Sequence, residues 1–299
     1  MVTMPKLLVI DKTIFHAFYD CDEKLCEFVK KYNVVLPSTL AIECVISEKK
    51  QDKDPEKLLR SLVKAVKAGA NIGYQSAELL TAEKITLCPV KSIVDEVLTQ
   101  KLRKSTFEIS PDLIKQAAKH CMEVTEQIIN CFFKPITETL YNEICKNKDF
   151  MNKFSKPTNR KERRKEWIRF MDHNNVMNNT LNAFFSEKIN SHVDANWYTW
   201  QLFRIWCSYC WDWSHKKSLP GSYEKKDISN DFYDIEPVLY LSRADGLLTN
   251  DQKLQVPLAK AAYPKKEGPF VVNTRVNDSR KVQDVFDDIV KVIPPSYKI

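Results

Sequence analysis

The sequence predicts an α/β fold with a parallel β-sheet, interrupted by a large helical insertion. Short, continuous apolar runs alternate with amphipathic segments near both ends of the chain. Runs of this kind are typical of strands that are buried on both faces. Between the two ends, residues 88–215 show almost purely helical periodicity. We therefore expect two α/β parts that fold together, with a helical region between them.

For the N-terminal part, the sequence predicts the order strand, helix, strand, helix. KLLVI (6–10) is the first strand and ends at Asp11, and a helical segment follows over 13–32. NVVLP (33–37) is the second strand, and 38–50 is the second helix. Strands that alternate with helices in this way indicate a parallel sheet.

The C-terminal part returns to the same alternation. It predicts a helix over DIEPVLYLSRA (234–244) and a strand over GLLTN (246–250). DQKLQVPLAKAAY (251–263) is a helix or loop, and GPFVVN (268–273) is a further strand. These elements complete the sheet that the N-terminal part begins.

The predicted domains follow from this pattern. Residues 1–87 and 221–299 form one discontinuous α/β domain, and residues 88–220 form an all-helical insertion domain. The helical part contains no internal repeat. The insertion therefore reads as a single added domain.

Composition excludes some classes of protein and leaves others open. Five glycines and no Gly-rich phosphate-binding motif argue against a nucleotide-binding fold of that type. Nine cysteines, an odd number, with no signal-peptide pattern predict free thiols and a cytoplasmic protein. The sequence contains no apolar run of about 18 or more residues, so no membrane span is predicted. The net charge of +7 is compatible with a nucleic-acid partner and equally with an ordinary solvated surface.

Acidic residues stand where the predicted strands end or the predicted helices begin. Asp11 and Asp251 each follow a strand, Glu43 lies on the second helix, and Asp231 and Asp234 precede the late helix. Functional residues of a parallel sheet collect at the carboxyl ends of its strands. A cluster of carboxylates there is self-repulsive unless a cation neutralises it. All-oxygen ligands favour Mg²⁺ or Mn²⁺, and a metal at such a site is suited to phosphodiester hydrolysis.

Four motifs in order resemble the PIN-domain nucleases. They are LLVIDKTIF with Asp11, LPSTLAIECVI with Glu43, NDFYDIEPVLYL with Asp231 and Asp234, and ADGLLTNDQKL with Thr249 and Asp251. The resemblance covers about residues 5–50 and 228–273. It implies a Rossmann-like α/β/α domain and a Mg²⁺- or Mn²⁺-dependent endoribonuclease acting on RNA. Such proteins are either RNA-processing enzymes or toxins that an antitoxin controls, and they often form homodimers.

The resemblance also assigns roles to residues. It implies that four acids form the metal site and that Thr249 orients them by hydrogen bonding. The four are Asp11, Glu43, Asp234 and Asp251. Asp231 and Asp245 are alternates for the third acid or for a second metal ion. A structural role is the alternative for each acid, because Asp11 and Asp251 also stand where they would cap a helix.

A basic run in the insertion is a candidate RNA contact. NRKERRKEW (159–167) contains Arg160, Lys161, Arg163, Arg164 and Lys165. Arginine and lysine neutralise phosphates without reading sequence. The alternative is a solvated helix face on which Glu162 and Glu166 pair with neighbouring bases. The sequence leaves both interpretations open.

Two other functions compete with the nuclease. VIDKT also resembles the loop of haloacid-dehalogenase-like phosphotransferases, in which Asp11 would be a nucleophile, but this leaves Glu43 without a role. The other alternative is a catalytically silent PIN-like module that binds RNA or protein. Such a module would be expected to lack some of the acids that this chain has.

Overall fold

A computed structural model shows a five-stranded sheet. It describes residues 6–40, 55–105, 193–216, 225–276 and 280–299, together with scattered helical positions between 116 and 185. The strands are β1 (Leu7–Ile10), β2 (Asn33–Leu36), β3 (Asn71–Ile72), β4 (Gly246–Thr249) and β5 (Phe270–Val271). Four of them match predicted strands, whereas β3 was not predicted. Its two residues are too short to produce a hydrophobic pattern.

All strand pairs in this sheet are parallel, in the order β3-β2-β1-β4-β5. In the centre, Leu8 of β1 is in register with Val34 of β2 on one side and with Gly246 of β4 on the other. The chain runs outward from β1 to β3 and then crosses back to β4. The predicted α/β class with a parallel sheet is confirmed, and its topological switch point lies between β1 and β4.

Nine α-helices surround this sheet in the described part of the chain. They are α1 (Lys12–Ala17), α2 (Asp22–Lys31), α3 (Pro55–Ala68), α4 (Ser76–Thr86), α5 (Glu96–Lys104), α6 (Tyr198–Lys216), α7 (Lys225–Leu239), α8 (Gln255–Ala262) and α9 (Val282–Val292). Short 3₁₀ helices cover Tyr240–Ser242 and Pro295–Tyr297. Residues 38–40 are helical and begin the second predicted helix, whose remainder, 41–50, lies outside the described residues.

The two faces of the sheet bury separate apolar cores, as the continuous apolar strands predict. Leu8 and Ile10 belong to the core that α1, α2, α3 and α9 cover, whereas Val9 belongs to the core under α4, α6, α7 and α8. All three side chains are fully buried. Alternate side chains of a strand lie on opposite faces, so β1 needs apolar residues at every position.

The helix predicted over 13–32 is two helices. It breaks after Ala17, and α2 begins at Asp22 with Asp22 and Glu23 in its first turn. The break lets the chain fold back, so that the rings of Phe18 and Phe28 stack with centroids 6.2 Å apart. The helical periodicity continues across the break because both helices bury their apolar residues in the same core.

The predicted start of the late helix was also wrong. The helix α7 begins at Lys225, nine positions before the predicted start at Asp234, and it continues through Pro237. Its first turns are polar and therefore lack the apolar period that the prediction required. Asp231 and Asp234 consequently lie in the interior of the helix and not at its N-terminus, where the helix dipole would favour anions.

Two helices from the predicted insertion pack directly on the α/β part. The helix α5 contacts α3 and β3, and α6 contacts α4, α7 and α8. The largest fully buried side chain of the described chain, Trp206, belongs to α6. The predicted boundaries at 88 and 220 stay a prediction, but these two helices share the cores of the sheet.

The carboxylate of Glu83 holds the start of α6 against α4. It is fully buried and accepts hydrogen bonds from the backbone N–H groups of Tyr198, Thr199 and Val90, at 2.8, 2.8 and 3.0 Å. The hydroxyl of Thr199 donates a fourth bond at 2.6 Å. Glu83 therefore serves as a helix cap supplied from a distant part of the chain.

Cys21, Cys26 and Cys88 carry free thiols. None of the described helices combines the length and the apolar character that crossing a membrane requires.

We expect Glu83→Ala to lower the free energy of unfolding by about 3 kcal/mol, because three backbone N–H groups and one hydroxyl lose a buried acceptor. Urea denaturation followed by circular dichroism measures this change. Glu78→Ala is the control on the same helix, since Glu78 is exposed and only caps Gln75 N at 2.8 Å. It should cost about 1 kcal/mol or less. Equal losses in both variants would contradict the bridging role of Glu83.

Candidate functional site

The candidate site lies at the carboxyl edge of β1 and β4, the two strands on either side of the switch point. The backbone N–H of Asp11 donates to Leu248 O at 3.1 Å, so the ends of the two strands stay joined. Beyond this bond, β1 leads into α1 and β4 leads toward α8. Crevices at such positions are where open parallel sheets bind their ligands.

The carboxylate of Asp11 is almost fully buried at this edge. Only 1% of the residue is exposed. Its Oδ1 accepts from Thr13 N at 2.6 Å, which caps α1, and its Oδ2 accepts from the hydroxyls of Thr13 and Thr249 at 2.9 and 2.5 Å. Burial raises the pKa of Asp11 above 3.8, and the hydrogen bonds from Thr249 and Thr13 oppose the rise.

The Thr249 hydroxyl connects Asp11 with Asp251. It donates to Asp11 and accepts from the backbone N–H of Asp251 at 2.9 Å. The Asp251 carboxylate then accepts from the N–H groups of Lys253 and Leu254, both at 2.9 Å, and of Gln255 at 3.3 Å. Thr249 thus donates a hydrogen bond to one of the predicted acids, Asp11. The Asp251 carboxylate caps the entry into α8, which is the structural alternative that the sequence left open for it.

Asp234 reaches the same edge from α7 and forms an ion pair. Lys12 Nζ lies 2.8 Å from Asp234 Oδ1, and both side chains are about one-third exposed. The backbone carbonyl of Asp234 accepts from Gln255 Nε2 at 2.9 Å. Asp234 is therefore fixed between the first residue of α1 and the first residue of α8. Asp231 belongs to the same helix, α7, three residues earlier.

Asp245 lies at the opposite edge of the sheet. It precedes β4, and its Oδ2 accepts from Leu7 N at 2.7 Å, while its own N–H donates to Leu7 O at 2.8 Å. The carboxylate thus joins the amino ends of β1 and β4. As an alternate metal ligand beside Asp11 it is ruled out by its position, because the length of β4 separates the two edges.

Several predicted residues lie outside the described residues. They are Glu43, Arg160, Lys161, Arg163 and Arg164. Lys165, from the same basic run, is helical and exposed. Its exposure agrees with either of the two interpretations of that run.

Sequence reasoning missed the buried carboxylate of Glu236. Its Oε1 accepts from the N–H and the hydroxyl of Ser76 at 3.2 and 2.9 Å, and its Oε2 accepts from Thr39 N at 3.2 Å and from Ser38 Oγ at 3.5 Å. Burial raises the pKa of Glu236, against these hydrogen bonds. The residue joins α7 to the first turn of α4 and to the helical residues 38–40. The signal was an acid at helical spacing inside the apolar run DIEPVLYL.

The acidic side chains at this edge are of the chemical type that binds a hard cation. Asp11, Asp234 and Asp251 offer carboxylate oxygens, and hard divalent ions such as Mg²⁺ and Mn²⁺ prefer oxygen. Asp11 Oδ1 accepts one hydrogen bond and retains a second acceptor position. Among the residues that the structure describes, no group of three His, Cys, Asp or Glu forms a metal-binding cluster. A complete site would therefore need a contribution from outside them, for which Glu43 is the predicted residue.

The buried charge of Asp11 predicts a pH-dependent stability. Because its folded pKa is raised above 3.8, its contribution to stability is fully present below that pH and is lost as the pH rises through the folded pKa. We expect Asp11→Asn, measured in EDTA, to be more stable than wild type at pH 8. Asparagine keeps an oxygen for Thr13 N, and the two hydroxyls can rotate to accept from its amide. The gain should disappear toward pH 4 in urea denaturation.

The exposed Asp20 supplies the control for this measurement. Its carboxylate pairs with Lys57 at 2.7 Å on the surface. The stability difference between Asp20→Asn and wild type should change much less over the same pH range. A difference for Asp11→Asn that is independent of pH would contradict the buried-charge account.

Comparisons with known proteins provide no family for this chain. No protein-family model, no curated protein and no solved structure matches it.

Proposed function

We propose that the protein is a metal-dependent endoribonuclease that hydrolyses RNA phosphodiester bonds at the carboxyl edge of β1 and β4. The observation that carries the proposal is the buried carboxylate of Asp11, joined to Thr249 at the topological switch point. Asp234 and Asp251 belong to the same edge. The order of these acids along the chain is that of the PIN-domain motifs, and the net charge of +7 suits an anionic substrate.

Each residue has a distinct part in this proposal. Asp11 and Asp234, with Glu43 from the second helix, would hold the ion. A bound Mg²⁺ or Mn²⁺ ion would activate water and stabilise negative charge on the phosphodiester. Thr249 and Thr13 fix the orientation of the Asp11 carboxylate, as partners behind a ligand do. Asp251 holds the turn between β4 and α8, and through its backbone N–H it orients the Thr249 hydroxyl.

Cleavage of labelled single-stranded RNA tests the proposal. We expect cutting with Mg²⁺ or Mn²⁺, none with EDTA, and none by Asp11→Asn. Thr249→Val should cut about 10- to 100-fold more slowly, since an orienting partner of a metal ligand has an effect of this size. Asp245→Asn is the matched control at the opposite edge of the sheet and should cut at the wild-type rate. Metal-dependent cutting that survives Asp11→Asn in a nuclease-free preparation would refute the assignment.

A catalytically silent module that binds RNA or protein is the second candidate, and the ion pair between Lys12 and Asp234 favours it. The ammonium group already neutralises one carboxylate of the site, at 2.8 Å. A metal ion that used Asp234 would have to displace Lys12. In the silent module Lys12 replaces the metal permanently, whereas in the nuclease it is released when the ion binds.

We expect Lys12→Met to bind Mn²⁺ about fivefold more tightly than wild type, because the ligand no longer has a competing cation. This corresponds to about 1 kcal/mol, the upper end for a partly exposed pair. Titration calorimetry measures the affinity. Lys57→Met, which removes the exposed pair with Asp20, should leave it unchanged. Equal Mn²⁺ affinity in Lys12→Met and wild type would exclude Asp234 as a ligand. Mn²⁺ binding by Lys12→Met alone, without RNA cleavage by wild type, would support the silent module.

A further inference from the structure

Lys12 places a positive charge among the acids of the candidate site. It is the first residue of α1 and directly follows Asp11, and its Nζ lies 2.8 Å from Asp234 Oδ1. Burial raises the pKa of Asp11, and the charge of Lys12 is one of the influences that oppose this rise. One ammonium group therefore acts on both of the described carboxylates that the proposed ion would use.

The backbone at Lys12 is fixed, whereas its ammonium group can move. The preceding residue, Asp11, is held to β4 by its N–H and by its carboxylate, which accepts from Thr249. The Lys12 side chain is 35% exposed and carries its charge on a flexible four-carbon stem. An ammonium group that leaves Asp234 can therefore take another partner without any movement of the sheet.

An RNA phosphate that approaches this edge meets negative charge. Asp11, Asp234 and Asp251 carry carboxylates there, and like charges repel. A divalent ion on Asp11 and Asp234 would offset this charge, and it would also take from Lys12 the carboxylate with which Lys12 is paired. The phosphate is then the anion that the ammonium group can neutralise. Lysine suits this role because it binds phosphate as a point charge.

We propose that Lys12 is a substrate-binding residue that exchanges the Asp234 carboxylate for an RNA phosphate when the metal ion binds. The inference rests on the proposed function for the identity of the substrate and of the ion. It gives Lys12 two opposite effects, because its ammonium group competes with the ion in the free protein and attracts the RNA in the loaded one. A lysine that served only to hold α1 against α7 would not contribute to RNA affinity.

RNA affinity with and without a divalent ion tests this role apart from cleavage. Binding of a fluorescent single-stranded oligoribonucleotide is measured by anisotropy in EDTA and in Ca²⁺, and a gel checks that the RNA stays intact. Calcium, like magnesium, is a hard cation that takes oxygen ligands. In Ca²⁺ we expect Lys12→Met to bind RNA about tenfold more weakly than wild type, as for the loss of a hydrogen bond between charged groups. In EDTA the difference should be much smaller, because Lys12 is then paired with Asp234.

Two further variants show whether the effect belongs to the charge at this position. Lys12→Arg keeps the charge and should bind RNA much as wild type does. Lys6→Met is the matched control at the other end of β1, since Lys6 pairs with Glu267 at 2.5 Å and its side chain is 32% exposed. The slope of log affinity against log salt should fall by about 0.7 in Lys12→Met, the value for one phosphate contact with a single strand. The slope should not change in Lys12→Arg or Lys6→Met.

The outcomes separate this inference from the proposed nuclease. Equal RNA affinity and salt slope of Lys12→Met and wild type in Ca²⁺ would overturn the role of Lys12, and so would an equal loss in Lys6→Met. A loss in Lys12→Met of the same size in EDTA and in Ca²⁺ would overturn the exchange of partners. If wild type still cuts RNA with Mn²⁺ in these cases, the nuclease stands without Lys12. The expected losses without any cleavage by wild type would support the role of Lys12 and count against the nuclease.

Discussion

The hydrogen bond from Thr249 to Asp11 is the contact on which the candidate site depends. At 2.5 Å it joins the ends of β1 and β4, two strands that are neighbours in the sheet but 238 positions apart in sequence. The same carboxylate caps α1 through Thr13 N. Burying an ionised carboxylate is costly unless it is hydrogen-bonded, and three donors here offset part of that cost. One side chain therefore fixes a strand, a helix and a neighbouring strand at the point where a ligand would bind.

The acidic side chains that the structure describes differ in how many hydrogen bonds they accept. Glu83 and Glu236 each accept four hydrogen bonds, two on each oxygen, so neither has acceptor positions left. Both hold first turns of helices, and their role is structural. Asp11 retains an acceptor position on Oδ1. Asp234 is paired with Lys12, whose flexible side chain another cation can replace.

The sequence could predict the strands and the acid that ends β1, because double-sided burial produces apolar runs and their ends are visible. It could not predict β3, whose two residues have no period, or the polar first turns of α7. The partners of Glu236 could not be predicted because its donors belong to Ser76, Ser38 and Thr39, 160 or more positions away. The Lys12–Asp234 pair spans 222 positions and depends on how α7 docks, which local patterns do not encode.

The bonds at Glu83 also determine how much the region between α4 and α6 can vary in length. Val90 N and Tyr198 N both donate to the same oxygen of Glu83, so the chain leaves and returns at one point. The entropy of closing a loop whose ends are fixed rises only logarithmically with its length, by about 0.6 kcal/mol for each doubling. Insertions into the segment between α5 and α6 would therefore cost little in stability, provided that this carboxylate, α5 and the first turn of α6 stay in place.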